Sequence, residues 1–462
     1  MADATPRTFD VAALIERRPF DRFNMRLVAI SWLITVFDGF DLSIAAFTAP
    51  YMRDELGLTT AQLANVFSAG LLGMTLGGLL FSPLSDRIGR RPVVIGTAFG
   101  FGILTMATAF APSYHALLVL RLLDGFAIGG MVPIAWALNV EFVPKRLRAT
   151  VVTVIMVGYS VGTSGAGPMT VMLEPLIGWR GMFLVGGIGS IVAASLLLLW
   201  LPESVRLLVS KNMKPEQTAR LVNRLDPAAD ARATDRFILG DEQTATRKTA
   251  FRELFVGRLA IITPLLWLGF TFSSIAIYFV NGWGPIVLEA MQYDRRTAAL
   301  ATAFGGIMGS AAGLAIMRVT DRRGPVTVLF YPTLLLPLLL VVGLVPLAPQ
   351  TVLILAMAVL MLIGGMHFAF LSIIGTLYPT AVRGAGSGWA SSVGKLGGVF
   401  GPLLGGVILS SGMPAIRSYL VLAICPAVVL LTAAWITRVV SRTAADSSGN
   451  GPSTDGLAPA GG

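Results

Sequence analysis

Long apolar stretches separated by short polar turns dominate the chain. Twelve stretches of about 20 residues or more are each long enough to cross, as a helix, the roughly 30 Å hydrocarbon core of a bilayer. The predicted spans are 26–50, 62–84, 93–112, 116–141, 150–173, 181–201, 258–283, 297–317, 326–346, 351–376, 386–410 and 418–438. The pattern therefore predicts an all-α membrane protein.

A polar, charged stretch at 202–257 divides six predicted spans from six. We interpret this stretch as a cytoplasmic linker that carries short amphipathic helices. It joins a first six-helix bundle, 26–201, to a second, 258–438. The N-terminal segment, 1–25, is polar, and the tail, 439–462, is predicted to be a disordered cytoplasmic segment because it ends in a run rich in Gly, Ser, Pro and Asp.

The two halves repeat one another. A turn after the second span recurs after the eighth, and a Pro/Arg pair after the fourth span recurs after the tenth, always 235 positions later. The matching residues are Asp86, Gly89, Pro144 and Arg148 with Asp321, Gly324, Pro379 and Arg383. A common offset indicates a duplicated six-helix unit, as in secondary transporters with parallel repeats, rather than a chance recurrence of basic turns.

Composition and charge support this interpretation. Hydrophobic residues make up 55% of the chain and charged residues 13%, against about 25% charged in soluble domains. Most of the 35 Lys and Arg residues fall on the side of the predicted membrane that holds the N-terminal segment and the linker, which predicts cytoplasmic termini. These basic residues are scattered over separate turns, so a nucleic-acid surface is not expected, and the single cysteine, Cys425, excludes a disulfide framework.

Two carboxylates lie within the first predicted span. Asp38 and Asp41 are three residues apart, so they share one face of a helix. A charge at membrane depth costs roughly 2.5–3.5 kcal/mol and usually faces a polar pathway. Asp38 and Asp41 are therefore the candidate proton carriers, with neutralisation of basic residues elsewhere in the bundle as the alternative.

The run from Ser82 to Arg91, Ser-Pro-Leu-Ser-Asp-Arg-Ile-Gly-Arg-Arg, resembles the cytoplasmic signature of the major facilitator superfamily, G-x-x-x-D-R-x-G-R-R. Three further motifs resemble those of its aromatic acid:proton symporters: Asp38-Gly39-Phe40-Asp41, Asn139-x-Glu141 and Tyr378-Pro379-Thr380-x-x-Arg383. The resemblance implies two pseudo-symmetric six-helix bundles in a monomer of a bacterial inner membrane. It also implies proton-coupled uptake of benzoate-like, hydroxybenzoate-like or phenylpropanoid acids, without a cofactor or enzymatic activity.

Two cations inside spans are candidates for binding the carboxylate of a substrate. Arg121, with Asp124 three residues later, is predicted to hold either the substrate anion or the first-span aspartates; a local pair with Asp124 is the alternative. Lys395 stands in a Gly-rich part of the eleventh span, where the family usually has arginine. It is predicted to bind a carboxylate as a point charge, with snorkelling to the interface as the alternative.

Three other side chains are weaker candidates for substrate contact. His367 is the histidine within a span and is predicted to relay protons or to donate to the substrate, or else simply to pack. Asn281 and Trp283 end the seventh span, and Trp283 is predicted to be either an interfacial anchor or a wall of the binding pocket.

Gating is predicted at the cytoplasmic ends of the spans. Asp86 is expected to pair with basic residues of neighbouring helices in one state and to part from them in another. Glu141 is expected to pair with a loop arginine such as Arg148. The full set of predicted gating residues is Asp86, Arg87, Gly89, Arg90, Arg91, Asn139, Glu141 and Arg383.

Absent motifs narrow the choice of function. The sequence has no Gly-x-x-x-x-Gly-Lys-Ser/Thr loop for an ATP-driven pump and no Cys/His cluster for a metal site. Proton-coupled import of a small aromatic carboxylate is the first hypothesis. The alternatives are a proton-coupled exporter of drugs or aromatic compounds, a symporter for a non-aromatic organic anion, and a membrane receptor that binds aromatic acids without moving them.

Overall fold

The computed structural model describes residues 6–241, 251–379 and 382–449. Two parts of the predicted linker and tail, 242–250 and 450–462, lie outside the described residues. Within this part of the chain, eleven helices are long and apolar enough to cross a membrane. The prediction of an all-α membrane protein is therefore confirmed.

One of the eleven helices contains two crossings. Helix α6, Lys145–Trp200, has 56 residues and would be about 84 Å long if straight, far more than one bilayer. Its backbone leaves the helical conformation at Gly178, where φ is 68° and ψ is 172°. Dividing α6 at Gly178 gives the predicted twelve spans over the described residues.

The first bundle consists of five helical elements, counting α6 once. The first two helices of the bundle, α2 (Arg22–Leu56) and α3 (Thr60–Ile88), are longer than predicted from apolar residues alone, because polar caps extend them beyond the hydrocarbon. Asp21 caps α2 by accepting from the backbone N–H groups of Phe23 and Asn24, and Gly57 ends it in a left-handed conformation. After the short α1, Val11–Arg17, the bundle helices are α2, Arg22–Leu56; α3, Thr60–Ile88; α4, Arg90–Thr108; α5, Tyr114–Glu141; and α6.

The second bundle follows two short linker helices, α7, Val205–Ser210, and α8, Pro215–Leu225. Its helices are α9, Leu259–Ala290; α10, Arg295–Arg323; α11, Phe330–Leu344; α12, Pro349–Leu377; α13, Arg383–Ser410; α14, Ser418–Leu422; and α15, Ile424–Gly449. The predicted disordered tail needs a correction, since residues 439–449 continue α15.

The N-terminal segment and the linker form one packed unit. Strand β1, Thr8–Asp10, pairs in parallel with strand β2, Arg236–Ile238. The linker therefore contains, besides its predicted helices, one strand of a small sheet that the sequence did not indicate. Val11 and Ile15 of α1 are fully buried in the same cluster as Val222 of α8 and Leu27 of α2. This unit therefore belongs to the first bundle, and we call the side of the molecule that carries it the linker face.

The two bundles are joined at the opposite face. Arg53 of α2 pairs with Glu289 of α9 at 3.3 Å, and Asp54 of α2 pairs with Arg295 of α10. Just inside this rim, the Ser68 hydroxyl of α3 donates to the Val399 carbonyl of α13 at 2.9 Å. In the part of the chain that the structure describes, the ion pairs between the bundles all lie at this face.

Asp241 forms an ion pair within the linker and a longer one with the start of α6. Arg206 of α7 donates two hydrogen bonds to Asp241, at 2.8 and 3.1 Å, and the ammonium of Lys145 lies 3.7 Å from the same carboxylate. The Arg206 guanidinium holds the pKa of Asp241 below its usual range. Because the pKa is lowered in the folded state, this contribution to stability is present at neutral pH and is lost as the pH falls through the folded pKa.

We therefore expect Asp241→Asn to loosen the linker at pH 7, and acid below about pH 4 to loosen the wild-type linker in the same way. Hydrogen–deuterium exchange over residues 205–241 measures both effects. Glu216→Gln is the matched control, because Glu216 is exposed and lies 3.7 Å from Arg220. Equal exchange in Asp241→Asn and wild type at pH 7 would contradict the prediction.

Candidate functional site

A central cavity of about 230 Å³ lies between the two bundles at mid-depth. It extends from Phe47 of α2 toward Trp136 and Leu371, which lie near the linker-face ends of α5 and α12. Six helices line it: α2, α5, α6, α9, α10 and α12, with a single contribution, Met74, from α3. The cavity thus sits where parallel-repeat transporters bind their cargo.

The lining combines flat rings with hydroxyl groups. No Lys or Arg lines the cavity among the described residues; its ionisable groups are Asp38, His367 and two tyrosines. The rings belong to Phe47, Trp136, Tyr159, Tyr278, His367 and Phe368, and the further hydroxyls to Ser43, Ser160, Thr163, Ser164, Thr302 and Ser310. The cavity can therefore accept a planar polar molecule, and it offers hydrogen bonds rather than a fixed positive charge.

Asp38 is the carboxylate of the cavity. It lies at the middle of α2 and is 4% exposed, close enough to Tyr159 of α6 and Tyr278 of α9 to interact with them electrostatically. The sequence placed Asp38 in a polar pathway, and its position in the cavity agrees with that prediction.

Gly39, the next residue, allows α2 and α6 to touch. A Cβ at this position would lie 2.3 Å from the carbonyl oxygen of Tyr159. Helix α2 remains continuous from Arg22 to Leu56, so Gly39 allows the two helices to approach closely without unwinding of α2.

We expect Gly39→Ala to destabilise the protein by roughly 1–3 kcal/mol, because a backbone atom of α6 must move to admit the methyl group. Gly165→Ala is the matched control: it adds the same methyl to α6, where a Cβ meets nothing within 4 Å. Thermal unfolding of the purified variants followed by fluorescence measures the difference. Equal melting temperatures would show that the α2–α6 contact is not tight.

Asp41 belongs to a second, separate group of buried charges. Arg121 of α5 places Nη1 2.9 Å from both Asp41 Oδ1 and Asp124 Oδ2, and its Nη2 donates to the Asp41 carbonyl at 3.2 Å. The Thr105 hydroxyl of α4 lies 3.3 Å from Asp41 Oδ1 and 3.1 Å from Asp124 Oδ1. The two partners proposed for Arg121, the first span and Asp124, are thus bound at the same time.

This buried charge group does not open into the central cavity. Asp41 and Asp124 are each 1% exposed, and neither lines the cavity. Arg121 instead reaches a smaller cavity of about 40 Å³, which it shares with Phe67, Tyr278 and Asn281. A molecule bound in the central cavity therefore would not contact Arg121 in this conformation.

Lys395 also lies outside the lining of the central cavity. Its ammonium reaches from α13 of the second bundle to α3 of the first, where it lies 3.5 Å from the position that a Cβ of Gly78 would occupy. It is close enough to Asp38 for the two charges to interact. Snorkelling to the interface is excluded, since the amine points between the bundles.

Of the three weaker candidates for substrate contact, two line the central cavity and one does not. His367 and Asn281 line the central cavity; His367 Nδ1 lies 3.2 Å from the Ser273 hydroxyl, and its ring stacks on Phe270. Trp283 is 0% exposed and donates its indole N–H to the Pro402 carbonyl at 2.9 Å. Both placements predicted for Trp283 are therefore wrong, because it packs between helices and faces neither lipid nor the cavity.

Several of the predicted gating residues lie in a network at the linker face of the first bundle. Glu203 accepts from the backbone N–H groups of Arg90 and Arg91 at 2.9 and 3.1 Å, at the positive end of α4. Asp86 Oδ1 lies 3.7 Å from Arg90 Nη2. Gly89 permits this approach, since its φ is 112° and a Cβ would clash with Glu203.

Glu141 pairs with a loop arginine, but this is Arg90 and not Arg148, the example expected from the sequence. Glu141 also accepts from the Ser204 hydroxyl, while Arg148 donates to the Val143 carbonyl. The side chain of Arg87 is exposed. Asn139 donates to the Ser31 hydroxyl at 2.6 Å and so ties α5 to α2, and Arg383 donates to the Tyr378 carbonyl at 3.3 Å.

Several residues that line the cavity or contact the buried charges could not be predicted from the sequence. Thr105 and the cavity hydroxyls are single polar atoms in apolar spans, and nothing in their spacing distinguishes them from packing residues. Glu203 lies just after the sixth predicted span, and its contact with the start of α4 depends on how the linker folds back.

Comparison with known proteins gives the family. Residues 31–377 match the model of the Major Facilitator Superfamily. The 4-hydroxybenzoate transporter PcaK of Pseudomonas putida is 32% identical over 88% of this chain and 91% of its own length. The gallate transporter of the same organism is 32% identical over 87% of this chain and 90% of its own.

Solved structures agree on the fold. A bacterial homologue of the human lysosomal transporter Spinster, in inward-facing conformations, superimposes with a TM-score of 0.67 when occupied and 0.70 when unoccupied. It covers 92% of this chain and 98% of its own, at 16% identity. The chain is therefore a member of the major facilitator superfamily and belongs to its family of aromatic acid transporters, which are not enzymes.

Proposed function

We propose that this protein imports a small aromatic carboxylate by proton symport, with alternating access across a bacterial inner membrane. The observation that carries the proposal is the position of Asp38: a buried carboxylate in a cavity that Lys and Arg do not line, among the described residues. The relatives named for 4-hydroxybenzoate, gallate and benzoate support an aromatic acid as cargo.

The cavity suits a planar acid that carries a ring. Tyr159 and Tyr278 come from opposite bundles and present their rings and hydroxyls to the same space. The indole nitrogen of Trp136 is buried and has no hydrogen-bond partner among the described residues. A buried donor without a partner is costly, so this N–H is a candidate to bind an oxygen of the cargo.

Charge balance links the cargo to the proton. An ionised Asp38 and an organic carboxylate in one low-dielectric cavity repel each other strongly. Protonation of Asp38 removes this repulsion, so the carrier binds the anion best after it has taken up a proton. Loss of the proton on the cytoplasmic side restores the repulsion and expels the cargo, while Lys395 remains close enough to attract the newly charged Asp38.

The driving force favours this order. A monoanion that enters alone opposes an inside-negative membrane potential by roughly 2.3 kcal/mol per 100 mV, and an accompanying proton removes that opposition. In the proposed orientation the linker face is cytoplasmic, in keeping with its basic residues. The bundles then meet at the outer rim, and the cavity extends toward the cytoplasm.

Uptake into proteoliposomes tests the proposal. With an acid exterior, radiolabelled 4-hydroxybenzoate should accumulate inside, and a protonophore should abolish the accumulation. Unlabelled benzoate, gallate and phenylpropionate should compete, and aliphatic diacids should not. Accumulation in the opposite direction would favour an exporter, competition by diacids alone would favour another organic anion, and binding without flux would favour a receptor.

A further inference from the structure

We propose that Asp124 and Asp41 together hold a proton, as a carboxylate pair that is physically separate from Asp38. The inference rests on the proposed proton symport and adds a second proton site to it. Its basis is the geometry of four buried side chains: two carboxylates, one guanidinium and one hydroxyl.

The first step is a count of charges. Asp41 and Asp124 bring two negative charges to a place where each is 1% exposed, and Arg121 brings one positive charge, with Nη1 2.9 Å from both. Arg121 cannot give up its proton under ordinary conditions. If both acids were ionised, one buried negative charge would remain without a cation, which is costly in a protein interior.

The second step is the search for another cation. From Thr60 to Ser85 of α3 and from Pro92 to Thr108 of α4, the sequence contains no ionisable residue. On α6, the Phe183 ring lies 5.7 Å from the guanidinium carbon of Arg121. The next basic residue on α6, Arg180, pairs with Glu55 at 2.8 Å.

The remaining buried cation nearby is Lys395 of α13. It lies close to Asp38, the next acid along α2, and interacts with that carboxylate rather than with Asp41 or Asp124.

The third step is the hydrogen bonding of the pair. The Thr105 hydroxyl lies within reach of both carboxylates, but its one proton can serve a single acceptor at a time. The two carboxyl groups themselves are close enough to interact directly. One proton shared between them neutralises the excess negative charge and supplies the missing hydrogen-bond donor. The group of four side chains then has no net charge, with Asp41 and Asp124 sharing the proton beside Arg121 and Thr105.

Asp124 is then part of the proton site. If either Asp41 or Asp124 is removed, the remaining group carries no excess negative charge and should no longer bind the shared proton. With one carboxylate gone, the other pairs fully with Arg121 and stays ionised. This behaviour distinguishes the pair from Asp38, which lines the cargo cavity and does not contact Arg121.

Infrared difference spectroscopy on the purified full chain tests the pair without any cargo, so the result does not depend on which substrate is transported. In an Asp38→Asn background at pH 7, we expect the carbonyl band of a protonated carboxylic acid, which strong base removes. The band should disappear in Asp38→Asn/Asp124→Asn and in Asp38→Asn/Asp41→Asn, and Asp38→Asn/Asp124→Glu should keep it.

A band that persists in both double asparagine variants would overturn the proposal, as would its absence from the folded Asp38→Asn protein. Size-exclusion profiles establish that each variant is folded. If Asp124→Asn does not fold, Asp41→Asn answers the same question. If the Asp38→Asn protein shows the band as expected but wild-type protein shows no proton-driven uptake of aromatic acids, the proposed function is refuted and the carboxylate pair stands.

Discussion

Replacing Arg121 by leucine is expected to abolish uptake and to destabilise the first bundle. The change leaves Asp41 and Asp124 buried without their shared cation, and loss of one partner of a buried ion pair costs roughly 3–5 kcal/mol. It also removes the hydrogen bond from Arg121 to the Asp41 carbonyl, which ties α5 to α2. Proteoliposome uptake and thermal unfolding of the purified protein measure the two effects.

Arg220→Leu is the control for this prediction, because Arg220 is exposed in the linker and makes one surface pair with Glu216, worth at most about 1 kcal/mol. Adding Asp124→Ala to an Arg121→Ala variant should not restore full uptake, since Asp41 still lacks its cation. Complete restoration would mean that Arg121 serves only its neighbour Asp124.

Asp38→Asn is expected to eliminate proton-driven accumulation while exchange of cargo down its own gradient continues. The amide keeps the shape of the protonated acid and cannot ionise, so the cavity stays neutral throughout the cycle. Accumulation driven by a pH gradient and counterflow at equal pH, measured on the same proteoliposomes, separate the two activities. Exchange by the variant should lose the part of its pH dependence that ionisation of Asp38 causes.

Glu216→Gln provides the matched carboxylate-to-amide change at an exposed position of the linker, and it should accumulate cargo as the wild type does. If Asp38→Asn still concentrated cargo with an acid exterior, Asp38 would not carry the coupling proton. Loss of both accumulation and counterflow would indicate that Asp38 is needed for cargo binding as well.

The sequence predicted the architecture well because the bilayer imposes it. The existence of the spans and the polar stretch that divides them follow from which residues tolerate hydrocarbon. Helix ends were less accurate: α2 runs from Arg22 to Leu56, since capping and not hydropathy ends it. The pairing of β1 with β2 joins segments more than 200 residues apart, and three-residue strands carry too little pattern to reveal it.

The apolar character of the spans also allowed part of the candidate site to be predicted. Asp38, Asp41 and Arg121 stood out because charges are rare in apolar spans. Their partners were harder to assign, since a long side chain reaches residues on several helices. Arg121 bridges two aspartates, Lys395 crosses to the other bundle, and Glu141 contacts Arg90 instead of Arg148. Spacing along one helix contains none of this information.

The ion pairs at the rim of the bundles have a kinetic consequence. In the proposed orientation, an importer that has delivered its cargo must reopen to the outside before it can reload. That step separates Arg53 from Glu289 and Asp54 from Arg295, which are partly open to water and therefore weakened by salt. The empty carrier should therefore return to its outward-open conformation faster at high external ionic strength. If this return limits the transport cycle, external salt would determine the rate at which the cell takes up the substrate.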